Sequence, residues 1–431
     1  MDFFEIVWIL IIGGAFFLKL LNIFIRNEEH NEIFSTAAGH YKGNYSKGSF
    51  LNQPKFNCSI NGMNLQAEKV NENKENFLNL SIEYSPSFKG NFLLEEETTI
   101  SRLKNTVGLK DIQTGDTAFD ATICISASHP SLVYAVFNSE TRSQVIKIIR
   151  GSESFSIKNR STVISYPFED ISSSQTLCKK IDLLVSTVEM ITETGNLKKR
   201  LIQNIQTETL PVVIINNIKA LTTKYPKDKE SKQILKTTLG DRNISVQIEA
   251  ARHLGKSGMK HLTTLLEEKE PMIAELRNKV VTLLGDNKYI PSRPILQEVY
   301  RNRAGLELQK TILKTFEKFE NAKLEPFLIE QLANKETDLR HASIEALGTC
   351  GTIKAAEKIY ILAKDSLNPF TKNTAQKAIS KIQSRLGDVE KGWLSISDSP
   401  EKEGALSISK NSTEGALSLE AESKKKIKDN S

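Results

Sequence analysis

Asp116 and Asp120, in the stretch TGDTAFD that runs from Thr114 to Asp120, are the side chains best spaced to do chemistry in this sequence. Two carboxylates four residues apart can hold a divalent cation or divide the roles of acid and base. Either role needs a further ligand or base, and the stretch itself holds no His and no third carboxylate. The same residues also explain a turn without chemistry. Gly115 and Asp116 supply the bend, and Phe119 anchors the element that follows. The turn is the preferred reading. His30, His40, His129, His253, His261 and His341 show no metal-ligand spacing. Cys58, Cys124, Cys178 and Cys350 are far apart, with no C-x-x-C, which argues against a zinc site or a disulfide framework and suits a reducing compartment. There is no G-x-S-x-G, P-loop or G-x-G-x-x-G. No catalytic residue, metal or cofactor is therefore expected, and the chain is read as a non-enzyme.

The elements that position these residues begin with Phe3 to Ile25, FFEIVWILIIGGAFFLKLLNIFI, which holds only Glu5 and Lys19 as charges. As a helix it covers about 35 Å, enough to span a hydrocarbon core. A start of MDFFE without a small-residue cut site reads as an uncleaved anchor. The basic residues near its ends, Lys19 and Arg26, both lie on the C-terminal side, which places the rest of the chain in the cytoplasm. Residues 1–30 are thus expected to be a single-pass anchor in an inner membrane.

Residues 31–195 read as an α+β domain. The runs KFNCSING, FLNLSIEY, FDATICISA, LVYAVFN and STVISYPF alternate like antiparallel strands between turn clusters. Two helices interrupt them. In SETRSQVIKIIRG, Ser139 is the expected cap, Val145, Ile146 and Ile149 share a face, and Gly151 ends the helix. In the second, Leu177, Ile181, Leu184, Val188 and Ile191 form one apolar stripe.

Residues 196–386 repeat. Copies begin at Val246, Leu276, Leu308, Leu339 and Thr371, at a period of about 31, with a weaker one at Leu210. Positions +4, +5 and +8 of each copy are mostly apolar or small, for example Val280, Val281 and Leu284, or Ser343, Ile344 and Leu347. A second amphipathic stretch separates the copies. Turns are expected at Gly255, Gly258, Gly285, Gly348 and Gly351. Two helices per period cannot bury their own apolar faces, so the pattern predicts a stacked all-α solenoid.

The spacing resembles HEAT repeats, particularly the short bacterial kind also found in phycobilisome lyase-like proteins. LRHASIEALG (Leu339 to Gly348) lies nearest to that pattern. The resemblance implies that Asp338 caps its helix and that Arg340 sits on the exposed side. The Arg after the copy start recurs only as Arg277 and Arg340, so an Asp–Arg ladder between units is expected to be broken. G-D-x-x-F-D at Gly115, Asp116, Phe119 and Asp120 resembles a motif of uncharacterised bacterial membrane-anchored domains, which implies no activity.

Residues 387–431 read as a disordered tail. It carries G-x-L-S three times, at Trp393-Leu394-Ser395, Leu406-Ser407 and Leu417-Ser418. The chain's net charge of +6 is concentrated elsewhere: residues 196–386 hold 33 Lys and Arg against 21 Asp and Glu, leaving 25 against 31 in the remainder. Lys229, Lys232, Lys236, Arg293, Arg301, Arg303 and Arg340 are the candidate interaction residues of that basic region. An unidentified protein is the expected partner, and anionic lipid is a further option because the anchor keeps it close. Nucleic acid is disfavoured, since Trp8 and Trp393 both lie outside the repeats. The sequence therefore points to a membrane-anchored scaffold or adaptor. The alternatives are a HEAT-like enzyme of lyase or DNA-glycosylase type, and a nucleic-acid or lipid-binding module.

Overall fold

The computed structural model describes residues 3–49, 52–73, 75–87, 90–96, 111–192, 195–268, 272–302 and 304–386. The chain divides into two compact units, Met1–Ala250 and Ala251–Ser431.

The first unit opens with helix α1, Phe3–His40. Most side chains of residues 3–25, where the anchor is expected, lie outside the described residues. Among the described residues no helix is long and apolar enough to cross a membrane. The helix does not stop at residue 30: Phe34, Ala37 and Ala38 on its last turns are buried in the core of the domain that follows.

That core lines an eight-stranded sheet of β1 (Asn44–Ser46), β2 (Lys55–Ile60), β3 (Met63–Glu72), β4 (Glu75–Glu83), β5 (Phe92–Glu96), β6 (Ile123–Ala127), β7 (Ser154–Lys158) and β8 (Ser161–Pro167). The order is β1-β2-β3-β4-β8-β7-β5-β6, and all pairings are antiparallel. Period-two alternation puts Met63, Leu65 and Ala67 of β3, and Leu78, Leu80 and Ile82 of β4, on the buried face. Asn61 and Gly62 turn β2 into β3 at φ +50° and +79°, the left-handed pair that a tight hairpin demands. Among the described residues, helices α2 (Thr117–Asp120), α3 (Pro130–Val136), α4 (Ser139–Ile149) and α5 (Ser174–Thr192) complete the domain. The expected stripe of α5 (Leu177, Ile181, Leu184, Val188, Ile191) is fully buried in the shared core.

Two expectations fail here. LVYAVFN is not a strand but most of α3, whose first turn Pro130 opens. Leu132, Val133, Ala135 and Val136 are all buried, so the run is apolar on every side and its period carries no strand signal. The cap of α4 is Asn138 rather than Ser139; its side chain accepts from the Thr141 amide at 2.9 Å.

Buried Lys69 of β3 approaches His30 Nδ1 at 3.1 Å and lies over the Phe168 ring. Burial, then the Lys69 and Arg26 cations, lower the His30 pKa from its ordinary value to about 4. The unfolded chain therefore takes up a proton near pH 6.5 that the folded chain refuses until about pH 4. The contribution is neutral to stability above that window, and stability is lost as pH falls through it. Thermal unfolding followed from pH 7 to 4 is expected to show a shallower decline in His30→Gln than in the parent. An unchanged slope would remove His30 from the account.

Helices α6 (Leu197–Thr207), α7 (Pro211–Lys224) and α8 (Lys229–Thr238) also belong to the first unit. Helix α9 (Ile244–Arg252) crosses the division. The second unit continues with α10 (Lys256–Glu267), α11 (Ala274–Asp286), α12 (Arg293–Asn302), α13 (Leu306–Phe319), α14 (Glu325–Gln331), α15 (Thr337–Cys350), α16 (Ile353–Asp365) and α17 (Pro369–Leu386).

These helices are the predicted pairs. In the second unit α11, α13, α15 and α17 pack in succession as the first helices of their copies, and α10 with α12 and α14 with α16 pack as second helices. The apolar positions Val280, Val281, Leu284, Ile312, Leu313, Phe316, Ile344 and Leu347 are all buried between them. Burying each such side chain contributes about 1.5–3 kcal/mol, and only neighbouring copies can supply the cover. Gly258 lies inside the first turn of helix α10 rather than in a connecting turn, and Gly285 and Gly348 do not mark turns either. They lie within α11 and α15, where a Cβ would come within 2.9 Å of Thr315 and 3.1 Å of Ala378 on the next first helix.

A lysine ladder stands where an Asp–Arg ladder is broken. Lys288 pairs with Glu320 at 2.8 Å, Lys318 with Asp286 at 2.6 Å, and Lys310 with Asp338 at 2.7 Å, each about one repeat apart. Asp338 therefore does not cap α15; its carboxylate reaches back to α13, and Glu336 holds the cap position without a side-chain hydrogen bond. His341 lies in the first half of α15. Its ring packs on Phe370, and its Nε2 is 2.8 Å from Thr371 Oγ1 in the next copy.

Candidate interaction surface

Asp116 and Asp120 are both near the joint between the sheet domain and its first helices, and both are already committed to protein donors. Asp120 accepts from the Thr114 amide (2.9 Å), the Thr114 hydroxyl (2.7 Å) and the Gly115 amide (2.9 Å). It thereby closes the loop that leads into α2. Asp116 caps α2 through the Phe119 amide and pairs with Arg142 Nε at 3.0 Å. Phe119 is buried against Phe137. Gly115 adopts φ +98°, and a Cβ there would come within 2.7 Å of Val212 on α7. The TGDTAFD stretch is thus a turn, and it is also a socket that receives α7.

Arg142 of α4 completes the socket. Its side chain is 2% exposed and meets Glu208, at the end of α6, whose side chain is 0% exposed. Nη1 and Nη2 reach the two carboxylate oxygens at 3.2 Å each, and Nη1 also donates to the Phe137 carbonyl at 2.8 Å. Glu208 further accepts from the Ser139 amide at 2.7 Å, the first turn of α4. Asn204 of α6 donates to the Tyr134 and Ala135 carbonyls of α3, and Asn216 of α7 donates to the Thr114 carbonyl. A buried pair this fully hydrogen-bonded fixes one docking geometry. Among the described residues no group of three or more His, Cys, Asp or Glu is placed to hold a metal ion.

Sequence reasoning found Gly115, Asp116, Phe119 and Asp120 but missed Arg142 and Glu208. One signal for Arg142 was available: it precedes Val145 and Ile149 by three and seven residues, so it stands on the apolar face of its helix. Glu208 gave no such signal.

The exposed face of the first helices has a different character. A groove of about 480 Å³ runs between α6 and α8. Lys199, Gln203 and Gln206 form one wall, Glu230, Gln233 and Thr237 the other, and Ile202 and Ile234 floor it. Lys229, Lys232 and Lys236 of α8 are all exposed and, at intervals of three and four, share the crest beside Gln233. Lys198 is spent on Asp228 (3.2 Å) and Glu230 (2.7 Å).

The remaining candidates disperse. Arg293 is half-buried at the start of α12. Arg301 pairs with Glu330 at 3.1 Å and stacks on Phe327. Arg340 is not on an open face: it is half-buried and donates to the Asn334 and Lys335 carbonyls (2.8 Å each) and to Thr337, tying down the turn before its own helix. Arg303 and the tail residues Trp393, Leu394, Ser395, Leu406, Ser407, Leu417 and Ser418 lie outside the described residues. Among the described candidate cations, Lys229, Lys232 and Lys236 on the crest of α8 remain exposed as a group.

No family model matches the chain, and no curated protein does. Solved structures do align with half of the chain. The complex of CpcE and CpcF of phycocyanin lyase from Nostoc sp. shows 16% identity and a TM-score of 0.24, over 50% of this chain and 92% of that one. An engineered protein shows 16% identity and a TM-score of 0.21, over 50% of this chain and 94% of that one. At such scores neither likeness carries an argument. The helical-repeat architecture rests on the period, the burial pattern and the ladder of this chain's own residues.

Proposed function

We propose that the protein is a membrane-anchored scaffold. On this reading the apolar residues 3–25 hold it in an inner membrane, the soluble part faces the cytoplasm, and α6 and α8 present a groove to a protein partner carrying carboxylates. The carrying observation is the exposed crest of Lys229, Lys232 and Lys236 beside a groove whose walls are mainly amide and hydroxyl side chains. Amides offer donors and acceptors to a peptide backbone, and the crest supplies long-range attraction to an acidic segment. The joint beneath, made by Arg142, Glu208 and Asp116, holds this surface in a fixed relation to the sheet domain. The HEAT-like stack of the second unit adds a rigid repeated surface of the sort that binds along several copies at once.

In-cell crosslinking and purification from membranes tests it. Reversing Lys229, Lys232 and Lys236 to Glu is expected to lower recovery of a crosslinked acidic partner by about tenfold, with three exposed charges each worth about 0.5 kcal/mol or more. Undiminished recovery would show that the crest is not the contact. Flotation with anionic vesicles that depends on the same lysines would move the reading from protein to lipid.

A further inference from the structure

The corner between α16 and α17 exposes more apolar surface than a folded repeat should. Leu367 is 98% exposed, Phe370 61% and Ile361, on α16 six residues before Leu367, 53%. Phe370 is held in place on the His341 ring, so it is presented rather than loose. The surround is basic. Lys364 and Lys372 flank the corner against Asp365, and both are exposed; Lys354, Lys358, Lys377, Lys381 and Arg385 lie farther along α16 and α17, with Lys381 3.8 Å from Glu317.

The chain continues past Leu386 for 45 residues, 387–431, with nine Asp and Glu against seven Lys, four of those lysines in the closing stretch from Lys424 to Lys428. Residues 387–423 carry eight Asp and Glu against three Lys. Within them the G-x-L-S copies place two aliphatic residues two apart: Leu394 and Ile396, Leu406 and Ile408, Leu417 and Leu419. In an extended segment such a pair lies on one side, about 7 Å apart. Acidic residues flank each pair, Glu401 and Glu403 before the second, Glu420 and Glu422 after the third.

We infer that the tail docks back on its own last repeat, with Leu406 and Ile408 of the second copy covering Leu367 and Phe370. Chain length selects the copy. From Leu386 back to Phe370 along α17 is 16 residues of helix, about 24 Å. Leu394 follows Leu386 by eight residues and reaches at most about 28 Å when fully taut. Leu406 follows by 20, for which a free polar chain has a root-mean-square span of about 25 Å. A linker whose span matches the distance gives the highest local concentration, on the order of millimolar. The third copy, 31 residues on, is a second choice, and the first copy remains available to other molecules. The inference stands apart from the membrane and partner reading above, because it involves only residues 341–431.

The test is peptide competition on the full chain in detergent micelles. A fluorescein-labelled peptide of residues 400–412 is titrated into the parent and into a tail variant carrying Leu406→Asp, Ile408→Asp, Leu417→Asp and Leu419→Asp. The tail variant is expected to bind the peptide about tenfold more tightly, because its own competitor is gone. Adding Leu367→Asp and Phe370→Ser to that variant should abolish the gain; Leu367 is exposed, so the fold tolerates its replacement. Leu394→Asp alone should leave binding at the parent value. Equal affinity in parent and tail variant, or a gain that survives the corner substitutions, would overturn the proposal. A photoreactive residue at 367 gives a second reading. Adducts within one chain to residues 400–420 support it, whereas adducts to a second chain or to detergent alone refute it.

Discussion

Replacing Glu208 by Leu is expected to destabilise the Met1–Ala250 unit by about 3–5 kcal/mol, the cost of leaving a buried guanidinium without its partner. Arg142 loses both oxygens it meets at 3.2 Å and keeps only Asp116 and the Phe137 carbonyl. The Ser139 amide loses its acceptor as well. The double variant Arg142→Met, Glu208→Leu should recover much of the loss, since apolar side chains of similar volume can fill such a site at little net cost. Asp116→Asn should cost less, about 1–2 kcal/mol, because that carboxylate is partly exposed. Urea denaturation of the parent, Glu208→Leu, Arg142→Met and the double variant forms a double-mutant cycle. A loss below about 1 kcal/mol in Glu208→Leu would mean that water already reaches the pair. The cycle also separates the joint from the metal reading of Asp116 and Asp120. A structural joint predicts losses that depend on Arg142 and not on chelators.

The second large effect falls on the helical stack. A Cβ on Gly258 would sit 1.9 Å from the Ala251 carbonyl oxygen and 2.7 Å from its carbon. Both are backbone atoms, so no rotamer change relieves the clash, and the turn between α9 and α10 must open. Gly258→Ala is expected to cost about 3 kcal/mol, the upper part of the range for overpacking. Gly305→Ala is the control. Nothing lies within 4 Å of a Cβ there, and a change of less than about 1 kcal/mol is expected. Hydrogen exchange should show the Gly258 loss as reduced protection in α10, with the sheet domain unaffected. Full protection in α10 would mean that the turn accommodates the methyl group.

Much of this architecture was legible in the chain. The stripe of α5 and the apolar positions of the five copies obey helical periodicity, and burial follows wherever such a stripe has a neighbour to meet. Strands β2, β4 and β8 alternate as half-buried strands must. Strand β3 is also written in the chain, since Asn61-Gly62 between two alternating runs is a strong hairpin sign. LVYAVFN misled because a segment buried on all sides has no period to read.

Sequence by itself determined the helix pairs, their period of about 31, the alternating sheet and the basic surplus of residues 196–386, because each is a property of side-chain order along one element. Only the tertiary structure decided what the charges do. Arg142 and Glu208 are 66 residues apart and become a buried pair because α6 returns to α4. Asp338 turned from a helix cap into a rung to Lys310, Arg340 was drawn into its own turn, and Arg301 was paired with Glu330. Of the candidate cations, Lys229, Lys232 and Lys236 stayed open because one face of α8 is left uncovered. Periodicity is written locally, whereas the partner of a charge is set by which distant segment the fold brings within 4 Å of it.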